Sequence, residues 1–186
     1  VILGGKLVNV HTREVLYWDV AISDGRFAYV GPNAGHCIGD KTEVLRTEGF
    51  LIPGLCDGHM HIESGMLTPA EFTRAVIPHG TTTMFTDPHE IANVLGINGV
   101  RLMHDEGLMQ PINIYTQMPS CAPSAPGLET TGFKITAADV SEAMTWPGII
   151  GLGEMMNFPG VIDGDPQMLA EMAATADANK TIGGHY

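Results

Sequence analysis

The chain is poor in cations. Nine Lys and Arg stand against 21 Asp and Glu in 186 residues, for a formal net charge of −12. Binding a phosphate backbone requires a basic surface, so the balance argues against nucleic acid and leaves a small neutral or cationic substrate open. Cysteine is scarce as well. Cys37, Cys56 and Cys121 are odd in number, far apart and form no Cys-x-x-Cys, which indicates neither a disulfide framework nor a zinc knuckle. A reducing, cytoplasmic setting is the simpler expectation. No apolar run reaches the ~18 residues of a membrane helix, and Val1-Ile2-Leu3-Gly4-Gly5 lacks the cationic segment and apolar core of a signal peptide. A soluble protein with no membrane partner is expected.

What is present is a globular composition, 44% hydrophobic and 16% charged, sufficient for one good core or two small ones. Its eleven methionines fit flexible core filler. Residues 1 to about 48 read as short β-rich pieces: Lys6 to Val10, Asp19 to Ile22, Arg26 to Val30 and Glu43 to Arg46. Ser23-Asp24-Gly25 is a hairpin signal. A small antiparallel sheet is expected there, with His11 and His36 solvated in its turns.

From Phe50 onward, apolar strand candidates recur about every thirty residues, the length of one βα unit: Leu51 to Cys56, Thr81 to Thr86, Ile112 to Met118, Ile149 to Gly153 and Thr181 to Gly184. Helices lie between them. Thr68 with Pro69, Thr136 with Asp139, and Asp165 with Pro166 carry helix-start signals, whereas the helix over residues 96–106 is weakened by Gly99. Residues 119–133, rich in Pro, Ser, Gly and Thr, form a long loop of the kind that is often functional. Alternation of this kind predicts a parallel sheet.

Chemistry in parallel β/α folds gathers at the C-terminal strand ends. Here those ends carry Asp57, His59 and His61; Asp87-Pro88-His89-Glu90; Ser120-Cys121; Glu154; and His185. Four of five present side chains suited to a metal. His59 and His61 are two apart, so on an extended backbone both imidazoles share one face. Glu154 closes an apolar strand, where an unpaired carboxylate is costly. His89 and Glu90 fit equally the start of a helix, and His79 and His104 read as structural or solvated. Histidine and carboxylate donors without thiolate suit Zn, Mn or Fe(II), and a divalent pair lowers the pKa of bound water enough to support hydrolysis.

The run Pro53-Gly54-Leu55-Cys56-Asp57-Gly58-His59-Met60-His61 resembles the first-strand signature of the amidohydrolase superfamily. His59-Met60-His61-Ile62-Glu63-Ser64, Asp87 to Val94, Met118-Pro119-Ser120-Cys121 and Gly151 to Gly160 resemble the bacterial adenine deaminases within it. The resemblance implies an α/β architecture: residues 1–49 as the N-terminal part of a β-sandwich domain, and residues 50–186 as strands 1 to 5, the first half, of a (β/α)8 TIM-type barrel. It also implies a binuclear Mn2+ or Fe2+ centre, with Zn2+ possible, that deaminates adenine hydrolytically. His59, His61, Glu154 and His185 match its metal ligands, and Glu154, the bridging carboxylate, is the catalytic residue. His89, Glu90, Glu63 and Asp57 are additional ligands or supports. A cytoplasmic homo-oligomer is implied for the full-length form.

Gly183-Gly184-His185 departs from the family's Asp-Gly-His. A full barrel takes about 250 residues, so the sixth- and eighth-strand ligands have no counterpart, and the chain by itself is expected to be inactive. Competing readings are an amidohydrolase acting on a cyclic amide or N-acetyl group, and a non-catalytic metal-binding fragment. Many of the former bridge their metals with a carboxylated lysine where this chain has Glu154, which favours the deaminase.

Overall fold

A computed structural model describes residues 1–184. The chain divides into two compact units, Val1–Pro53 and one that begins at Gly54. The first contains β1 (Ile2–Leu3), β2 (Lys6–Asn9), β3 (Glu14–Leu16), β4 (Asp19–Ser23), β5 (Arg26–Gly31), β6 (Leu45–Arg46) and β7 (Phe50–Leu51). They form two small sheets, ordered β5-β4-β1-β6 and β3-β2-β7. Antiparallel pairing joins β4 to β5, β1 to β4 and β2 to β3, while β6 and β7 add at the edges in parallel. The β4–β5 hairpin turns at Asp24 and Gly25, both at positive φ (52° and 71°), the type I′ conformation that an Asp-Gly pair favours. Backbone amides of Ala34 and Gly4 bind Asp19 and hold its carboxyl below the usual carboxylate range. His11 and His36 are exposed.

The second unit runs β8 (Leu55–Met60), α1 (Pro69–Val76), β9 (Thr81–Thr86), α2 (His89–Leu95), α3 (Ile97–Leu108), β10 (Asn113–Met118), α4 (Ala137–Ala143), β11 (Ile149–Leu152), α5 (Phe158–Asp163), α6 (Pro166–Asp177) and β12 (Thr181–Ile182). Its five strands are all parallel and lie in chain order. The fold is therefore mixed α/β, with small antiparallel sheets followed by a parallel-strand half-barrel. No described helix is long and apolar enough to cross a membrane.

The expected strand Leu51 to Cys56 is corrected. Pro53 has no N–H for a ladder, and the apolar run divides there: Phe50 and Leu51 pair with β2, and β8 begins at Leu55. The two compact units divide just past this proline, at Gly54. Helix α5 was not expected, whereas α2 begins at His89, where His89 and Glu90 read equally as a helix start. The segment between β10 and α4 contains no helix or strand, in agreement with the long loop.

Buried side chains on the helix-facing side of the sheet form two cores. Ile62, Met84, Met103, Ile112 and Ile114 make one; Val100, Met118, Ile135, Val140, Trp146 and Leu152 contribute to the other. Thr136 and Asp139 make a reciprocal capping box at α4, and Asp165 accepts the Gln167 and Met168 amides at α6. Thr68 makes no cap bond of its own. Its hydroxyl instead donates to Glu106 Oε1 at 2.6 Å, and the same oxygen accepts the Ala70 amide at 3.0 Å, so α1 is capped from α3. Gly99 is not a flaw in α3: a Cβ there would lie 2.7 Å from the Ile91 carbonyl oxygen, so the glycine lets α3 approach α2.

Two stability predictions follow from this packing. Gly99→Ala should destabilise by roughly 1–3 kcal/mol, the usual cost of overpacking, read as a lower urea midpoint. Glu171 on α6 is fully buried and one of its oxygens has no partner among the described residues. Burial, opposed by the Gln167 hydrogen bond and by Lys134, pushes its carboxyl up to about 7. The folded chain thus keeps this proton to higher pH than the unfolded one, and the group's contribution to stability falls as pH rises from about 4.5 through 7. Glu171→Gln should flatten that decline when urea midpoints are compared at several pH values.

Candidate metal centre

The His-x-His pair sits where β8 ends. The strand passes through Asp57 and His59, and His61 follows it immediately. His59 Nε2 and His61 Nε2 lie 2.8 Å apart, and the two rings meet edge to face with centroids at 4.6 Å. Shared facing of residues two apart along an extended backbone accounts for this.

Glu154 reaches the pair from the fourth strand of the sheet. After β11 the chain continues through Gly153, and Glu154 Oε1 comes to 2.5 Å from His59 Nε2 and 3.7 Å from His61 Nε2. Its main chain is gripped on both sides: the amide donates to Asp87 Oδ2 at 2.7 Å, and the carbonyl accepts from Ser120 Oγ at 2.5 Å. Asp87 and Ser120 follow β9 and β10 closely. Sequence reasoning counted both as strand-end residues but assigned them no part. The available signal was their position one or two residues past an apolar strand.

A second group adjoins the first. His61, His89 and Glu90 also bring one donor atom each within 4.8 Å of one another, as do His59, His61 and Glu154. His89 opens α2, its ring centroid 4.4 Å from that of His61. Its Nδ1 faces Asp87 Oδ1 at 3.5 Å, and its Nε2 faces Glu90 Oε2 at 3.6 Å. Burial pulls the His89 pKa down, but Asp87 and Cys121 outweigh it and raise the ring to about 11. In physical terms, the pocket favours positive charge strongly enough to hold a proton there.

The other two expected residues belong to neither group, although Glu63 adjoins the second through Glu90. Asp57 Oδ1 accepts the amide of His59 at 3.1 Å, a local bond within the strand. Glu63 lies in a 3₁₀ turn (Glu63–Gly65), and its Oε1 meets the Ile91 amide at 3.5 Å. Burial first, and then its hydrogen bond with Glu90, raise the Glu63 carboxyl to about 7. Glu90 moves the other way: burial acts to raise it, but the Ser64 hydroxyl and other partners lower it on balance. His185 lies outside the described residues. His79 is exposed; His104 is buried beside Trp146, where burial lowers its pKa.

The donor set fits a divalent cation. One N–H on His59 cannot serve both the Glu154 oxygen and the His61 nitrogen, whereas a cation among the three atoms can. His89 Nδ1 and Glu90 Oε2, on two members of the second group, are buried without a hydrogen-bond partner among the described residues. Such atoms are unusual in a folded protein, where buried polar groups are hydrogen-bonded.

Residues 50–186 match the amidohydrolase family. The chain belongs to that family. As an amidohydrolase it is 77% identical over 188 residues to the adenine deaminase of Ruegeria sp. (strain TM1040), which covers all of this chain and 31% of that protein. It is also 77% identical to adenine deaminase 1 of Jannaschia sp. (strain CCS1), covering 32% of it, and 54% identical to the adenine deaminase of Moorella thermoacetica, covering 31%. The chain thus spans about a third of the length of the curated relatives it matches. Membership of the amidohydrolase family implies a metal cofactor, and the two donor groups are where this chain's residues fit one.

Truncating the carboxylate that meets both histidines tests the geometry directly. Glu154→Ala removes the oxygen that meets both His59 Nε2 and His61 Nε2, and Mn2+ affinity should fall by at least about 10-fold, the lower end of what even supporting residues contribute at metal sites. Calorimetric titration of the apoprotein measures it.

Proposed function

We propose that the chain is the N-terminal portion of a metal-dependent adenine deaminase, which hydrolyses the amino group at C6 of adenine to give hypoxanthine and ammonia in purine salvage. The observation that carries this reading is the convergence of His59 Nε2, His61 Nε2 and Glu154 Oε1 in a chain so similar to proteins of that name. A glutamate rather than a lysine after β11 favours it over amidohydrolases acting on cyclic amides or N-acetyl groups.

In this reading His59, His61 and Glu154 hold a pair of Mn2+ or Fe2+ ions, Zn2+ being the alternative, together with His185 and ligands from outside this chain. His89 and Glu90 supply further donors. Bound there, the cations would supply Lewis acidity and lower the pKa of a water toward neutrality. The chain's own residues set the stage for the chemistry. Asp87 O orients the His61 ring through Nδ1 at 2.7 Å, and Asp87 and Ser120 fix the main chain of Glu154. Over the reaction one water adds at C6 and one ammonia leaves. The segment 119–136, whose Ser120 bonds Glu154 and whose Ser124 Oγ lies 3.8 Å from Met156 Sδ, runs beside the strand ends and is the part of this chain suited to contact the purine. The full-length enzyme is a cytoplasmic homo-oligomer in the same reading.

The test compares two proteins grown with Mn2+: the 186-residue chain alone, and the chain continued to the length of its relatives. Elemental analysis and ammonia release from adenine should give about two metals per chain and turnover in the longer protein, and no turnover in the shorter. A metal-loaded longer protein without adenine turnover would refute the assignment.

A further inference from the structure

Asp87 follows β9 directly and is completely buried, a position that is costly for a carboxylate without partners. Three of its polar groups are spent on the chain at the ends of the two strands that carry the candidate ligands, and the fourth, Oδ1, faces His89 Nδ1 at 3.5 Å. Its amide donates to Met60 O at 3.0 Å, and its carbonyl oxygen receives His61 Nδ1 at 2.7 Å. Its Oδ2 accepts the Glu154 amide at 2.7 Å. One residue therefore touches a histidine 26 positions before it and a glutamate 67 positions after it.

The bond to His61 has a chemical consequence. A proton held on Nδ1 by a carbonyl leaves the Nε2 lone pair exposed, and it is Nε2 that faces Glu154 Oε1. The bond to Glu154 acts on the main chain, fixing the point from which that side chain starts. Asp87 itself belongs to neither cluster of converging donors. Gly153 is part of the same arrangement, because a Cβ there would collide with the Asp87 carboxylate.

We infer that Asp87 is a positioning residue of the metal centre: by its carbonyl it selects the nitrogen that His61 presents, and by its carboxylate it places Glu154, without ligating a metal itself. The inference rests on the metal-centre reading above.

The experiment uses the protein at its relatives' length, stripped of metal and titrated with Mn2+, following stoichiometry by elemental analysis and bound Mn2+ by electron paramagnetic resonance. Asp87→Ala should weaken Mn2+ binding by about 10- to 100-fold, the range for residues that orient ligands. Asp87→Asn retains an oxygen for the Glu154 amide and should bind more tightly than Asp87→Ala. Gly153→Ala alters neither Asp87 nor any ligand, yet should weaken binding by displacing the carboxylate. Met168→Ala, a core truncation on α6, should lower the melting temperature without changing affinity, which separates positioning from general destabilisation. Unchanged affinity in Asp87→Ala overturns the inference, as does an Asp87→Asn protein no better than Asp87→Ala. If Asp87→Ala does not fold, Gly153→Ala decides: wild-type affinity there is the overturning result. A wild-type protein that takes up no Mn2+ would remove the metal-centre reading itself, and the inference with it.

Discussion

Parallel pairing in chain order is the constraint on which the second unit depends. It forces each strand to start at one edge of the sheet and finish at the other, so residues that follow β8, β9, β10 and β11 become neighbours although a helix or loop separates each from the next. His61, Asp87, Ser120 and Glu154 are that set. None is close in sequence to the others, and each is the first or second residue free of the ladder, where a polar side chain no longer has to face the apolar cores beneath the strands. A metal centre in such a fold needs no dedicated loop. It needs suitable side chains at the points where the strands stop.

The second requirement is close approach. Glycine appears where backbones or buried groups meet without room for a side chain: Gly99 against the Ile91 carbonyl, Gly151 against Thr181, and Gly153 against the Asp87 carboxylate. The last brings a charged group into the interior within reach of a main-chain amide. Burial then works in opposite directions on the ionisable groups gathered there. It raises Glu63, while the anions and thiol facing His89 outweigh burial and raise that ring as well, so the pocket retains positive charge through proton or cation.

Much of this was legible in the chain because the signals are local. The Asp24-Gly25 turn, the Thr136–Asp139 capping box, the Asp165 cap and the four later strands follow from residue types within a few positions of one another. The pairing of His59 with His61 follows from strand geometry alone, and the place of Glu154 from counting strand ends. What escaped was set by distant partners. Leu51 and Leu55 look like one run, but Pro53 divides them and β2 claims the first half. The bonds of Asp87 are invisible until the chain beyond β11 reaches it across β10. Asp57 Oδ1 accepts the amide two residues on.

The cap on α1 bears on the order in which the protein can be built. The Ala70 amide and the Thr68 hydroxyl both depend on Glu106, 36 and 38 residues farther along. On a ribosome that side chain does not yet exist when α1 emerges, and a helix of eight residues is too short to persist alone in water. The first helix of this unit is therefore completed only after the third has been synthesised, so the early half of the sheet waits, uncovered, on a residue made later.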